Sequence, residues 1–515
     1  MTRLRKALRA TVVVQCFNWA SLLLSLVTVP LYLSWLGEER YGLFLTGVAL
    51  AGYLMFSDAG ITWASMLLIA EANGKDDRPG VATVFRTSFP FALLSSLLVA
   101  VVVVGTFLIL SRPEVEAAWS DHPEFPGLLL AVGATVVVSL IFSPFYNLFI
   151  GLQETALAAI YQGSGRLIAA LATLALAGCG LPLGWVYCGN IVGLLLTGFL
   201  AAIHCRRRHR WAFVNGPFWD RGQVKRQFHT GVSSLLMQSG TVFMGSAPVL
   251  AASAGAGPQT VPYLAIPLTL LNAPIGILSS FSANLQSGYG EAMGRGESRW
   301  VAETVNLLLR GVFLILAWLG CGWFLLAGAF VEQWTQGRLG LTLVMVLNAF
   351  LIAGAGAVIT TMRYGLTGIN RHGRAALAEC LGGFLALAGG ILVVRLFGFA
   401  WVGAAIFLSM VLVTGWLYPR ELKRALGGGA VFPKARFWIA LLATTSLAAG
   451  AGAAVKWAMT SLPVWSMILV TGTVVTAVFF GLAHRWLPDE MEFATRRLFA
   501  RWRRSAAPLP PDAAT

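Results

Sequence analysis

The chain has 515 residues, 57% of them hydrophobic and only 11% charged, with a formal net charge of +15 and a mean hydropathy of +0.74. That composition excludes an ordinary soluble domain, in which about a quarter of the residues are charged. It also excludes nucleic acid as the partner of the positive charge, since no hydrophilic segment is long enough to present a soluble basic face.

Apolar runs follow one another at 11–36, 41–70, 81–110, 127–151, 156–177, 183–205, 229–254, 261–288, 301–327, 339–366, 375–395, 401–418, 437–456 and 465–487. Each reaches the length of about 17–25 residues that a helix needs to cross a bilayer. Backbone groups in lipid are satisfied only in helices or closed barrels, and barrel strands would alternate over about ten residues. The predicted fold is an all-α polytopic membrane protein with fourteen transmembrane helices. Arg3 to Lys6, ahead of an apolar run, imitate a signal peptide. The run at 11–36 is too long for a signal core and lacks a small-residue cleavage site, so it is expected to be a retained helix.

Among the 37 Lys and Arg, 27 fall on the side of the N-terminus and 5 on the other. By the positive-inside rule both termini are cytoplasmic, and the basic charge faces anionic headgroups. The six cysteines (Cys16, Cys179, Cys188, Cys205, Cys321, Cys380) show no paired spacing, which supports neither a metal site nor a disulfide framework. No cofactor is expected, and the absence of a GxxxxGK[ST] loop argues against direct ATP drive.

The longest internal hydrophilic stretch, 206–228, mixes Arg with Trp211, Phe213, Phe218 and Trp219, the composition of a segment lying on headgroups. It separates six spans from eight, and the two parts look duplicated. Pro30 precedes Gly37 by seven residues, as Pro248 precedes Gly255. Each second span then runs to a Gly-basic turn, at Gly74-Lys75 and Gly294-Arg295. The expected organisation is an N-terminal lobe (1–205), a basic linker (206–228), a pseudo-symmetric six-helix C-terminal lobe (229–418), and two extra helices (437–487). A tail (488–515) closes the chain, starting as a basic amphipathic helix and ending Pro-rich. Six helices per lobe place the repeat axis along the membrane normal.

The segment Val29-Pro-Leu-Tyr-Leu-Ser-Trp-Leu-Gly-Glu-Glu-Arg-Tyr-Gly-Leu43, with Phe56-Ser-Asp-Ala-Gly-Ile61 and the turn Asn73-Gly-Lys-Asp-Asp77, resembles the polysaccharide transporter family. Those are Wzx-type flippases of the MATE-like MOP exporter superfamily. Pro30, Gly37, Glu39, Tyr41, Gly42, Asp58 and Gly60 carry the resemblance. It implies a two-lobed transporter in the bacterial cytoplasmic (inner) membrane. Its implied substrate is a lipid-linked oligosaccharide for O-antigen, capsule or exopolysaccharide, with polymerase and glycosyltransferase partners in the pathway.

The candidate site residues are the polar minority within the spans. Arg166 lies near mid-membrane with Gln162 one turn before it and no acid within a turn. An arginine there costs about 2.5–3.5 kcal/mol to insert unless it meets water or a partner. Arg310, with Asn306 one turn before it, lies deeper in its span than Arg86 and Arg363, which sit near the inner face. All four are candidates for an anionic headgroup; the structural alternatives are snorkelling anchors and carbonyl-bonded arginines. Gln15, Asn18, Gln238 and Asn272, with Asn147, Asn284 and Asn306, are candidate cavity lining or interhelical glue. Asp58 and Glu379 are candidates for a coupling H⁺ or Na⁺, or for bonds to freed backbone and to Arg371 or Arg374. Pro30, Pro248, Pro267 and Pro274 permit bends in spans 1, 7 and 8.

A polyprenyl-diphosphate sugar cannot cross hydrocarbon unaided, and arginines grip a diphosphate bidentately. A flippase needs no covalent step, so no catalytic residue is assigned. A lipid II-type flippase shares the fourteen-helix plan, whereas a MATE-like drug or cation antiporter would want acids in its cavity. A membrane glycosyltransferase would need catalytic acids that the short 111–126 loop does not pair.

Overall fold

The computed structural model describes residues 3–58, 60–112, 121–214, 217, 220–294, 296–369, 373–427 and 432–488. The tail from 489 and Glu114 and Glu116 lie outside the described residues. Among the described residues all regular structure is helical: α1 (Arg3–Leu54), α2 (Ile61–Gly74), α3 (Arg78–Leu110), α4 (Phe125–Gly151), α5 (Thr155–Gly178), α6 (Leu183–Arg208), α7 (Arg210–Val214), α8 (Arg221–Ala256), α9 (Pro262–Gly294), α10 (Ser298–Trp334), α11 (Leu343–Gly368), α12 (Gly373–Phe397), α13 (Val402–Met410), α14 (Trp416–Ala425), α15 (Ala435–Ala458) and α16 (Val464–Trp486). Twelve described segments are long and apolar enough to cross a membrane.

The chain forms two compact units, one of Met1–Ala273 with His372–Leu417, the other of Pro274–Arg371 with Tyr418–Thr515. In the first, α1 lies along α5, α4 and α5 pack on α6, α3 on α2 and α4, and α12 on α8. Phe85, Phe142, Tyr146 and Phe149 form the core beside α6 and α7. In the second, α10 packs on α11, α15 and α16, with Phe437, Leu441, Val475 and Phe479 in the core.

Four expectations need correction. The predicted break at 37–40 is a single residue, Gly37 (φ 76, ψ 173), within an otherwise helical run. The predicted span 41–70 is broken instead at a 3₁₀ turn, Met55–Asp58, followed by Gly60 with φ 73. A Cβ at Gly60 would lie 2.3 Å from the carbonyl oxygen of Gly231, so the break lets α8 approach the chain here. Where the proline spacing suggests a turn at Gly255, the backbone leaves the helix at Gly257 (φ 93, ψ 157), two residues further on. Finally, α8 begins at Arg221 rather than at 229, because the Asp220 carboxylate accepts from the Gln223 amide at 2.8 Å and caps it.

Among the described residues of the linker, Phe213 packs against the bundle. Ala212 is fully buried and Phe213 stands edge-on to Phe85, ring centroids 5.1 Å apart. Phe218 and Trp219 lie outside the described residues.

Candidate functional site

Arg166 occupies the middle of the 24-residue α5, so both ends of that helix are about 17 Å away at 1.5 Å per residue. Its side chain is exposed, with Nε 3.5 Å from the Gln162 carbonyl oxygen. At 100° per residue, Gly163 lies about 60° to one side of Arg166 and Ala169 about 60° to the other. Both are buried, Gly163 against the Phe17 ring of α1. Thr173 and Ala177, also buried, lie within about 20° of the same direction. The exposed apolar residues Ile160 and Leu171 project more than about 100° away. Arg166 therefore points with the packed arc of its helix, yet among the described residues it is exposed.

In the second unit, Arg310 is half-buried, its Nε donating to Asn306 Oδ1 at 2.8 Å and its guanidinium 6.0 Å from the centre of the Phe437 ring. The same face of α10 docks α15 and α16. Trp318 donates to Thr476 Oγ1 at 3.1 Å, and the Leu325 carbonyl accepts from Lys456 at 2.6 Å. Arg310 thus belongs to the seat of the two last helices. Arg363, half-buried on α11, lies 5.2 Å over the Tyr364 ring.

Arg86, in the first unit, is tied to the linker: its guanidinium donates to the Val214 carbonyl at 3.2 Å. Gln15 is half-buried, while Asn18 and Asn272 are exposed. The Asp58, Gln238 and Asn284 side chains lie outside the described residues. Glu379 is 2% exposed, in the interface where α12 meets α8 so closely that a Cβ on Gly240 would lie 2.3 Å from its Cβ. Asn147 is buried beside Ser65, Ser88, Ser95 and Ser143, which line a narrow crevice among α2, α3 and α4. Among the described residues, no group of three or more His, Cys, Asp or Glu could hold a metal ion.

Two clusters escape the sequence. After Gly37, three consecutive side chains fasten two segments, α9 and the turn 121–124 that leads into α4. Glu38 accepts from the Tyr263 hydroxyl at 3.0 Å, Glu39 lies 3.0 Å from His122 Nδ1, and Arg40 forks onto Glu124 at 3.0 Å from both nitrogens. At the opposite, basic end, Glu154 bridges Arg208 (3.0 Å) and His209 (3.1 Å). Burial pushes the Glu154 carboxyl up, but the His209 bond and the two neighbouring positive charges outweigh it and hold the group below the ordinary carboxylate range. The conspicuous run Glu38-Glu39-Arg40 was the only signal for the first cluster, and nothing in the sequence pairs Glu154 with residues two helices away.

Twelve described segments long and apolar enough to cross a bilayer, packed as helices on helices, define a multi-pass membrane protein. The model of the polysaccharide biosynthesis protein family matches residues 7–283, more than half of the chain, and the chain belongs to that family. Its fold is similar to that of solved structures of the MOP superfamily. For lipid II flippase MurJ in an inward closed conformation the TM-score is 0.68 at 11% identity, covering 93% of this chain and 100% of that one. For a multidrug resistance MATE family transporter the outward-facing form gives 0.59 at 14% identity, covering 84% and 98%. Its inward-facing form gives 0.57 at 14%, covering 79% and 96%. No curated protein sequence matches the chain at a significant level.

Proposed function

We propose that this transporter is a flippase that moves a polyprenyl-diphosphate-linked oligosaccharide from the cytoplasmic to the outer leaflet of the inner membrane, by alternating access. The reading has fourteen crossings, with α1 supplying one whole span and the start of the next and α8 supplying the seventh. Both termini are cytoplasmic. The six-helix lobes 1–205 and 229–418 rock about one another, and 437–487 adds two helices. The observation that supports the reading is Arg166, an exposed cation at mid-helix that shares its direction with buried residues of α5. It suits a diphosphate and repels the organic cations of a drug antiporter.

Deleting the protein should trap its substrate in the inner leaflet. Extraction of lipid-linked sugars from such cells should yield an accumulated repeat unit; accumulation of lipid II instead would favour the lipid II-type reading, and no accumulation would oppose both. Asp58 and Glu379 are the proposed coupling residues. Asp58→Asn and Glu379→Gln should each change the pH or Na⁺ dependence of transport, and a variant with an unchanged profile removes its residue from the coupling path.

A further inference from the structure

A topology signal needs only positive charge, yet the described stretch 206–214 of the basic linker is fastened to the bundle as a shelf. Four ties hold residues 208–214, and a fifth holds α8 beyond them. Glu154 holds Arg208 and His209. The Arg78 guanidinium lies 5.9 Å over the Trp211 ring, and Phe213 enters the aromatic cluster of Phe85 and Phe145. Arg86 bonds the Val214 carbonyl at 3.2 Å, and the fully buried Gln227 donates to the Val84 carbonyl at 3.0 Å.

The charges left over are uniform in sign. Arg206, Arg207 and Arg210 are exposed, and among the described residues none has a carboxylate partner. The one acid between 206 and 228 is Asp220, which caps α8. Glu154 is bound on the inward side by Arg208 and His209, so the carboxylate that could neutralise the shelf is already engaged. Fixing a chain segment costs conformational entropy. An unstructured basic loop would satisfy the positive-inside rule without that cost. Rigidity matters where guanidinium forks must meet a ligand of fixed geometry.

We propose that Arg206, Arg207 and Arg210 form a docking site for the diphosphate of a polyprenyl lipid at the inner leaflet, used before the headgroup reaches the interior of the protein. The site rests on the transport reading above and names its first binding step. Three forked cations on a fixed backbone match a diphosphate, with its several anionic oxygens, better than they match the single phosphate diester of a phospholipid. Arg86, expected from the sequence to bind or anchor, then serves with Arg78 as a support that holds the shelf.

The test uses the full chain in nanodiscs of neutral phosphatidylcholine, titrated with farnesyl diphosphate. Replacing Arg206, Arg207 and Arg210 together by Gln should weaken binding at least about tenfold, since three charge-assisted contacts go. A control with equal charge loss elsewhere (Lys423→Gln, Lys434→Gln and Arg436→Gln, all exposed) should change it less than about twofold. Equal weakening by both triples would overturn the site in favour of bulk electrostatics. So would a wild-type affinity that phosphatidylglycerol nanodiscs abolish, because the shelf would then hold ordinary phospholipid. Arg166→Ala is titrated alongside. Loss confined to that variant overturns the shelf and leaves the transport reading standing, whereas a wild-type chain that binds no farnesyl diphosphate overturns both.

Discussion

Arg166→Ala should abolish glycan export while the protein remains in the membrane at its normal level. The guanidinium bonds only weakly within the protein, at 3.5 Å to a carbonyl one turn back, so its removal costs the fold little. The substrate, however, loses charge-assisted hydrogen bonds, each worth about 1.5–3 kcal/mol. That is roughly a 10- to 150-fold effect per bond, and a forked contact loses two. Arg166→Lys should keep part of the activity, because it retains the charge and loses the fork. Surface polysaccharide quantified in a deletion strain complemented by each variant checks both. Normal export by Arg166→Ala would remove the residue from the substrate path.

Gly60→Ala should destabilise the protein strongly, and far more than Gly74→Ala. Its φ of 73 is a conformation that costs an L-residue about 1–2 kcal/mol. The new methyl would also lie 2.3 Å from the Gly231 oxygen and 2.9 Å from the Leu235 nitrogen, both backbone atoms that cannot rotate aside. Overpacking of that kind costs a further 1–3 kcal/mol or so, giving about 2–5 kcal/mol in all. Gly74→Ala is the control: it lies in the last turn of α2 with nothing within 4 Å of the added carbon. Melting midpoints in detergent should fall for Gly60→Ala and hold for Gly74→Ala. Matching midpoints would mean that α8 does not close on the chain at this break.

The difference between what was legible and what was not follows the range of the interaction. Helices are local, and hydropathy over about 20 residues locates them without knowledge of partners. The break at 55–60 is invisible to that rule, because Met55 and Phe56 continue the apolar run and the demand for glycine comes from Gly231, far along the chain. Arg166 is readable as a mid-span charge, and its wheel position relative to Gly163 and Ala169 is fixed by local geometry alone. Arg310 reads the same way, but its fate depends on Phe437, which only the docking of α15 supplies. Arg86 likewise looks like an anchor until the linker folds back and offers it the Val214 carbonyl. The helix ends near the two prolines are a middle case: Pro30 and Pro248 suggest where they fall, while the positive φ at Gly37 and at Gly257 shows only in the backbone angles.

The claim beneath all of this is that water reaches Arg166 inside the span. In a cysteine-free version of the chain, Arg166→Cys and Leu171→Cys, about one and a half turns apart and on opposite arcs, can be exposed to a charged, membrane-impermeant thiol reagent in inside-out vesicles. The account predicts rapid modification at position 166 and none at 171. An unreactive position 166, or one labelled only by a lipid-soluble maleimide, would contradict it.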